Sequence, residues 1–224
     1  MVQKNKTTNM KNLIRAYNDF SLWEINEKNE LKQINQFVLK VYYYHHLRQE
    51  VYPKKELLKM IQEDVNSLSN SSYYVAFDNE KHIVGTVKTQ KWNQITSLTI
   101  EKDFGVNLKM LIQSLPFKPK EIYHIGRFAI DQDMVRKNTN LHQNRLTILK
   151  LLIYYALIAV YKEKSNIFLC ECDYKLFSKL NFLGIYPQKL GVPIMYLGSK
   201  TIPVFCDYSG IKDFFNQNKN LIYV

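Results

Sequence analysis

The segment spanning residues 121–171 limits the fold of this chain more than any other. Residues 121–131 mix apolar with a few polar side chains in a strand-like pattern, and residues 132–140 form a polar stretch. Residues 141–163 are a long apolar run of helical character, and the apolar run at residues 166–171 has the pattern of a second strand. The segment therefore predicts a strand, a polar loop, a long helix and a second strand, with a candidate binding site between the two strands.

Further helices and strands are predicted around this segment. The apolar spacing predicts strands at residues 20–25, 73–77, 82–89, 185–197 and 201–207, and helices at residues 31–48, 108–115, 174–182 and 209–216. Pro53 suits the start of one more helix, and residues 99–105 have the composition of a loop. The Lys- and Asn-rich start shows no apolar period. We therefore predict a flexible arm at residues 1–18 and a single domain at residues 19–224.

Composition is typical of a globular protein. Of the 224 residues 46% are hydrophobic, with 16 tyrosines and 12 phenylalanines, which suffices to bury a core in one domain. The longest apolar stretch, residues 146–160, contains Lys150 and suits a buried helix better than a membrane span. Three cysteines and no signal-like start favour a reducing, cytoplasmic location. The spacing of Cys170 and Cys172 is not a zinc pattern, so we expect buried thiols and no bound metal.

The chain is strongly basic, with a net charge of +11 from 31 lysines and arginines against 20 acidic residues. Arginines are few, and Arg127, Arg136 and Arg145 share one short segment. Arginine suits bidentate contact with carboxylate or phosphate, so this clustering is more informative than the scattered lysines. The lysines are either a solvated surface or an attraction for an anionic partner such as a nucleic acid, a membrane or an acidic carrier protein.

The order of the elements resembles the GNAT acyltransferase fold over essentially the whole chain. The resemblance implies an α+β fold, in which helices flank a mixed, mostly antiparallel sheet that splays between its fourth and fifth strands. Within this fold, the run GRFAI at residues 126–130, with residues 100–105, 190–199 and 201–203, resembles the N-acyl amino acid synthases. These are relatives of the acyl-homoserine-lactone autoinducer synthases. The resemblance implies transfer of a long-chain acyl group from acyl carrier protein to the amine of an amino acid or a related small amine.

The stretch after the fourth strand of the fold departs from the acetyl-CoA-dependent members. Those enzymes usually hold the pyrophosphate of the donor on a glycine-rich loop at the N-terminus of a helix. Residues 134–145 contain no glycine. A donor on acyl carrier protein needs less of this cradle, and Arg136, Lys137 and Arg145 could meet its phosphate and the acidic surface of the carrier.

The resemblance also implies roles for individual residues. The family usually has a glutamate three residues before the arginine of the Arg-Phe pair, and here that position is His124, which can also accept a proton. Arg127 either pairs with the carboxylate of the acceptor or is a structural ion-pair partner. A bulge near Phe128 or Ala129 would free a backbone N–H for the thioester carbonyl. The implied catalytic residues are His124, Arg127, Phe128 and Tyr174, with Tyr174 as general acid, and the implied donor-binding residues are Ala129, Ile130, Arg136, Lys137 and Arg145.

Aromatic residues leave a further question open. The run Tyr42–Tyr44, Trp23 and Trp92 either line an acyl pocket or pack in the core, and His46 is more often a surface or core residue than a ligand.

Three functions compete at this point. The first is the carrier-protein-dependent N-acyltransferase, acting by direct attack of the amine, with no permanently bound cofactor. It would contact an acidic acyl carrier protein, a small amine and, through its lipid product, the membrane periphery. The second is an acetyl-CoA-dependent N-acetyltransferase. The third is a catalytically silent module that binds an acyl ligand. No nucleic acid partner is expected, because no aromatic–basic recognition motif is present.

Overall fold

A computed structural model describes residues 11–221 of the chain. Its strands are β1 (Lys11–Ala16), β2 (Phe20–Ile25), β3 (Ser71–Asp78), β4 (Ile83–Lys91), β5 (Ile122–Ile130), β6 (Ile167–Asp173), β7 (Gln188–Lys189), β8 (Ile194–Tyr196) and β9 (Ser199–Asp207). They form one sheet of nine strands in the order β1-β2-β3-β4-β5-β6-β9-β7, and β8 also pairs with β9. Only β5 and β6 pair in parallel among the described strands. The predicted mixed, mostly antiparallel sheet is confirmed.

Helices cover both faces of the sheet. They are α1 (Leu31–Tyr42), α2 (Lys54–Ser67), α3 (Thr99–Lys102), α4 (Leu108–Ser114), α5 (Gln132–Lys137), α6 (Thr139–Lys162), α7 (Tyr174–Phe182) and α8 (Tyr208–Gln217). On one face, Val38 of α1 shares a buried apolar cluster with Val75 of β3. On the other face, Leu152 of α6 shares a cluster with Val84 of β4. Helix α1 continues into a π-helical turn at Tyr43–Leu47, so the first predicted helix changes its winding before it ends.

Helix α6 is the central helix of the core. Its 24 residues and its apolar composition would also suit a membrane-spanning helix. Here α6 packs against β3, β4, β5, β6 and α8. Its buried residues are Leu141, Ile148, Leu151, Leu152, Ile153, Tyr154, Ala156, Leu157 and Val160. Packing on the sheet therefore explains the apolar composition of α6, as the sequence predicted.

The sheet forks between β5 and β6. The two strands pair from Ile122 with Ile167 to Ile125 with Cys170. Beyond these four pairs β5 runs on to Ile130 and β6 to Asp173 with no further pairing between them. The splay predicted for this place is confirmed, and it opens a cleft between the two strand ends.

A β-bulge interrupts β5 next to the fork. Residue Lys88 of β4 pairs with Gly126 and Thr86 pairs with Ala129, so Val87 faces two residues of β5, Arg127 and Phe128. Arg127 has a left-handed backbone with φ of 54°, which is uncommon outside glycine. The bulge turns the Arg127 side chain toward α2, the side on which Lys88 also lies. Phe128 instead packs against the clusters that contain α6.

The predicted flexible arm is wrong for residues 11–16. These residues form β1, which pairs antiparallel with β2 from Lys11 with Ile25 to Ala16 with Ser21. Ile14 packs against the buried cluster beneath α6. The unpaired edge of β2 offers backbone donors and acceptors, and pairing with it orders a segment whose own apolar pattern is weak. Residues 1–10 of the predicted arm lie outside the described residues.

The predicted polar loop at residues 132–140 is also wrong, because α5 and the start of α6 occupy most of it. Asp131 caps α5 by accepting a hydrogen bond from the Met134 N–H at 2.9 Å. Asn138 caps α6 by accepting one from the Leu141 N–H at 3.1 Å. Two helix caps within a polar stretch therefore produce helix where composition predicted loop. The short helix α3 replaces part of the predicted loop at residues 99–105 in the same way.

Candidate active site

A cleft opens where β5 and β6 diverge. It contains about 1010 Å³ of atom-free space, its open mouth included. Residues of β5, β6, α1, α6, α7 and the segment around β8 line it. The fork therefore presents a site built from parts of the chain that are far apart in sequence.

One wall of the cleft is apolar. Ile153, Ala156 and Leu157 of α6 line it together with Phe168 of β6 and Leu180 of α7. All five residues are buried in the folded chain. A wall of this composition suits an aliphatic chain, because burial of each methylene contributes about 0.8 kcal/mol.

The polar wall holds a histidine–glutamate pair. The His124 Nε2 atom lies 3.0 Å from both Oε1 and Oε2 of Glu171. Only 8% of His124 is exposed. Three residues of β5, namely Ile122, His124 and Gly126, alternate onto the face that carries this pair, and β6 brings Glu171 to the same face. The two strands thus place a proton acceptor and a carboxylate partner at the fork.

Space is available beside the imidazole ring. A side chain added at Gly126 would find, beyond its chain neighbours, only the Cε1 atom of His124 within 4 Å, at 3.6 Å. If the Nε2–H of His124 donates to Glu171, the other ring nitrogen, Nδ1, is free to accept a proton. Gly126 therefore leaves the ring edge at Cε1, between the two ring nitrogens, uncovered by a side chain at position 126.

Arg127 is held in a buried ion-pair network. Its Nη2 atom lies 2.9 Å from Glu63 Oε2 and 3.2 Å from Asp64 Oδ1, and its Nε donates to Asp64 Oδ2 at 3.3 Å. Lys88 Nζ lies 2.9 Å from the same Asp64. The Asn35 amide donates to Asp64 at 2.7 Å. Of the two alternatives for Arg127, the contacts correspond to the structural ion-pair partner.

Burial of Asp64 shapes the electrostatics of this network. Burial alone raises the pKa of the Asp64 carboxyl, but Arg127 and then Lys88 outweigh it and hold the pKa at about 2. Burial also opposes the charged form of Arg127, while Asp64 and Glu63 raise the pKa of its guanidinium above the usual range. Two cations and two carboxylates therefore balance each other under the bulge.

Tyrosines and a second histidine complete the polar wall. The Tyr42 hydroxyl donates to the carbonyl of Phe128 at 3.1 Å, so α1 is tied to the bulge. His46 Nε2 lies 3.9 Å from Asp173 Oδ2. Burial lowers the pKa of His46, with Asp173 opposing. Tyr196 lines the cleft from β8. Of the aromatic residues that could line an acyl pocket, Tyr42 is the one found there.

The π-helical turn and the chain after β8 meet beside the cleft. Gly198 has φ of 81°, and a side chain there would lie 2.6 Å from the Cγ atom of Leu47. Only glycine allows this approach without displacing the turn. Leu197 and His46, from the two sides of this contact, line the cleft.

Other predicted site residues lie away from the cleft. Ala129 is buried against α1 and α2, and Ile130 packs in the cluster beneath α6. Arg136, Lys137 and Arg145 are exposed on α5 and α6. Tyr174 is 44% exposed at the start of α7 and does not line the cleft. The fork brings together His124, Arg127 and Phe128 of the predicted residues, and the roles assigned to the others stay predictions.

Comparisons with solved structures identify the fold of this chain. No family model and no curated protein matches the chain. An acetyltransferase of the GNAT family from Staphylococcus aureus Mu50 is 13% identical, with a TM-score of 0.52 over 84% of this chain and 99% of that one. The chain has the GNAT fold.

Two further GNAT-fold matches correspond to the predicted branch. FeeM, an N-acyl amino acid synthase from uncultured soil microbes, is 13% identical, with a TM-score of 0.58 over 92% of this chain and 98% of FeeM. BjaI, a CoA-dependent acyl-homoserine lactone synthase solved with SAM and isopentyl-CoA, is 12% identical, with a TM-score of 0.53 over 93% of this chain and 88% of BjaI. The resemblance to both groups of enzymes is confirmed at the level of the fold.

The sequence did not predict the side chains that pair with His124 and Arg127. Glu171 lies between Cys170 and Cys172, which are buried and free. The sequence pattern that could have indicated Glu171 as a site residue is a carboxylate inside an apolar strand, on the face opposite to the two thiols. Glu63 and Asp64, the partners of Arg127, lie on α2 with no local signal, because they meet the arginine only through tertiary packing.

Proposed function

We propose that this GNAT-fold chain is an N-acyltransferase that moves an acyl group from a phosphopantetheine thioester to an amine by direct attack. The observation that supports the proposal best is the pair of His124 and Glu171, 3.0 Å apart at a fork whose opposite wall is apolar. An acyl tail on the apolar wall would bring its thioester carbonyl toward the pair. A silent acyl-binding module would have no need of a buried base at that place.

In the proposed reaction His124 moves one proton. The neutral amine attacks the thioester carbon, the new C–N bond forms, and the amine proton passes to Nδ1 of His124. When the C–S bond breaks, the same proton goes from His124 to the thiolate, so the histidine returns to its starting state. Glu171 holds the ring and stabilises the transient imidazolium.

The bulge and α1 support the reaction indirectly. Phe128, the residue after the left-handed Arg127, lines the cleft, and its carbonyl is held by Tyr42. We propose that the backbone N–H groups at the bulge, near Phe128 or Ala129, polarise the thioester carbonyl. Arg127 is then a positioning residue, because its contacts with Glu63 and Asp64 fix the conformation of the bulge. Tyr174 as general acid is not needed in this scheme.

For the donor we propose acyl carrier protein. Residues 134–145 lack glycine and are largely helical, so they offer little backbone for a pyrophosphate. Arg136, Lys137 and Arg145 are exposed, and no ion pair involving them occurs among the described residues. These cations are available to an acidic carrier. We further propose that the reaction takes place in the cytoplasm and that the lipid product brings the enzyme to the membrane periphery.

The acetyl-CoA-dependent alternative has its own support. The Staphylococcus aureus neighbour is an acetyltransferase, and BjaI was solved with an acyl-CoA. A conventional acetyltransferase would leave the apolar wall of α6 with no ligand to bury.

The test combines donors and acceptors with the purified full chain. Acetyl-CoA, long-chain acyl-CoA and long-chain acyl carrier protein are each incubated with a panel of primary amines, and mass spectrometry identifies the products. Lipid extracts of cells that overproduce the chain are compared with extracts of cells that produce His124→Ala. We expect a new N-acyl amine from long-chain donors and none with His124→Ala. Products from acetyl-CoA alone would favour the acetyltransferase, and no product from any donor would contradict the proposed function.

A further inference from the structure

We infer that the acceptor is a primary amine that carries no carboxylate. The acceptor would thus differ from the amino acid in the name of FeeM, an N-acyl amino acid synthase. The inference rests on the proposed function and concerns the charges that face the cleft. The inference specifies the class of acceptor that the proposed active site binds.

The cation that could hold an acceptor carboxylate is already neutralised. Arg127 is the one lysine or arginine that lines the cleft in the described part of the chain. It contacts Glu63 at 2.9 Å and Asp64 at 3.2 Å. Asp64 is fully buried and also holds Lys88, so it cannot turn away to release the guanidinium. A carboxylate on the acceptor would have to displace Glu63 and then lie beside Asp64.

The remaining charged groups in the cleft are carboxylates. Glu171 faces His124, and Asp173 lies near His46 while it caps α7 by accepting from the Leu176 N–H at 2.7 Å. Burial is the main cause that raises the pKa of the Tyr42 and Tyr196 phenols. At Tyr196 the Glu171 carboxylate raises the pKa further, whereas at Tyr42 Arg127 lowers it and Asp173 and Glu171 oppose Arg127. An entering carboxylate therefore meets like charge with no free cation, whereas an ammonium meets favourable charge.

The acceptor class follows from this balance. An amine arrives as an ammonium, which the carboxylates attract, and releases one proton to water before the neutral amine attacks and passes its second proton to His124. An α-carboxylate next to that amine would be carried to the same place and would be repelled. The cleft is therefore expected to bind an acceptor that has a cationic amine and is otherwise neutral or positively charged.

The experiment uses pairs of acceptors that differ only in the carboxylate: tyrosine and tyramine, phenylalanine and phenethylamine, and ornithine and putrescine. For each, kcat/KM is measured with a long-chain acyl thioester donor. Because unfavourable like-charge contacts weaken binding by several kcal/mol, we expect the amine to be preferred on the order of 10²-fold. Equal or greater kcat/KM for the amino acids would overturn the inference and leave acyl transfer to an amine intact.

A charge variant tests the same reasoning from the protein side. Glu63→Gln removes one carboxylate from Arg127, so we expect the preference for the amine to shrink. Glu56→Gln makes the same change of charge on the same helix, forms no ion pair with Arg127 in the described part of the chain, and should leave the preference unchanged. An unaltered preference in Glu63→Gln would contradict the role given to Arg127.

Binding separates this inference from the proposed function. If no donor acylates any acceptor, the proposed reaction fails. Calorimetric titration of the full chain with tyramine and with tyrosine then decides the acceptor class by itself. Tighter binding of tyramine supports the inference, and equal or tighter binding of tyrosine overturns it.

Discussion

At the scale of single residues, the site contains two side-chain pairings that differ in whether they leave a reactive atom available. His124 and Glu171 form a pair with one free ring nitrogen and open space beside it. Arg127 and Asp64 form a closed network that Lys88 and Asn35 complete. The first pairing leaves a reactive atom available and the second leaves none. We therefore assign the chemistry to the histidine and the support of the bulge to the arginine.

The first prediction concerns proton transfer. Loss of a general base slows an enzyme by about 10²–10⁴-fold, so His124→Ala should lower kcat by that factor. Glu171→Gln keeps the size of the side chain, and we expect a smaller loss together with a changed pH profile of kcat. Glu163→Gln removes an exposed carboxylate that pairs with Lys120 and serves as the control. Wild-type kcat and pH profile in Glu171→Gln would mean that the glutamate does not position the base.

The second prediction concerns the glutamate that the resemblance to N-acyl amino acid synthases implies at position 124. His124→Glu would place a second carboxylate against Glu171, in the position of an imidazole that now lies 3.0 Å from it. Two carboxylates at that distance repel, so we expect the single variant to be nearly inactive. Adding Glu171→Gln removes the repulsion and should restore part of the activity. Full activity in the single variant would show that the histidine–glutamate contact is not needed.

The third prediction concerns stability and pH. Removing one partner of a buried ion pair destabilises a protein by about 3–5 kcal/mol, so Asp64→Asn should unfold at much lower urea concentration. The pKa of Asp64, about 2, lies below its ordinary 3.8. Its ionised form therefore stabilises the fold above pH 3.8, and this stabilisation is lost as the pH falls through 2. Urea unfolding across that pH range should show the loss in the wild type, and an equal loss in Asp64→Asn would contradict the assignment.

At the scale of elements, the fork between β5 and β6 and the helix behind it create the cleft. The two strands share only the pairs from Ile122 to Ile125, and α6 supplies the apolar wall beyond them. The bulge in β5 adds one residue at the point where the strands part. These three features together leave an opening that regular pairing would have closed.

The fourth prediction tests the apolar wall as an acyl site. Ala156→Leu adds volume to the wall, so turnover of long-chain donors should fall by about tenfold or more while acetyl transfer is spared. Ala159 lies on the same helix and borders a different cavity, so Ala159→Leu is the matched control. The measurement is kcat/KM across a series of donor chain lengths. An unchanged chain-length profile in Ala156→Leu would remove the acyl chain from this wall.

At the scale of the whole molecule, charge is distributed unevenly between the surface and the cleft. The chain has a net charge of +11, yet the cleft itself contains carboxylates and one neutralised arginine. The exposed cations of α5 and α6 lie outside the cleft. This distribution suits a cationic acceptor inside and an acidic donor protein outside, since long-range attraction depends on exposed charge.

The fifth prediction concerns the donor. Neutralising Arg136, Lys137 and Arg145 together should raise KM for acyl carrier protein and leave KM for acyl-CoA little changed. Exposed charges are screened over about 8 Å at physiological ionic strength, so added salt should reproduce the defect in the wild type. Neutralising Lys109, Lys118 and Lys212 changes the total charge equally and is the control. Equal use of both donors with no effect of salt would contradict the carrier protein as donor.

Most of the fold was predictable from the sequence alone. The order of strands and helices and the long core helix α6 follow from local apolar periodicity, which the sequence determines by itself. The fork between the fourth and fifth strands of the fold was implied by the resemblance to the GNAT acyltransferases. There were two exceptions: the caps Asp131 and Asn138 convert a polar stretch into helix, and residues 11–16 become a strand by pairing with β2.

The chemistry of the site was decided by the tertiary structure. The contact of His124 with Glu171 depends on the parallel register of β5 and β6, and the position of Arg127 depends on a bulge and on the packing of α2. Both join residues that are distant in the chain. Periodicity within one strand or helix specifies which face a residue occupies, but only the packing of elements against one another brings two such faces together.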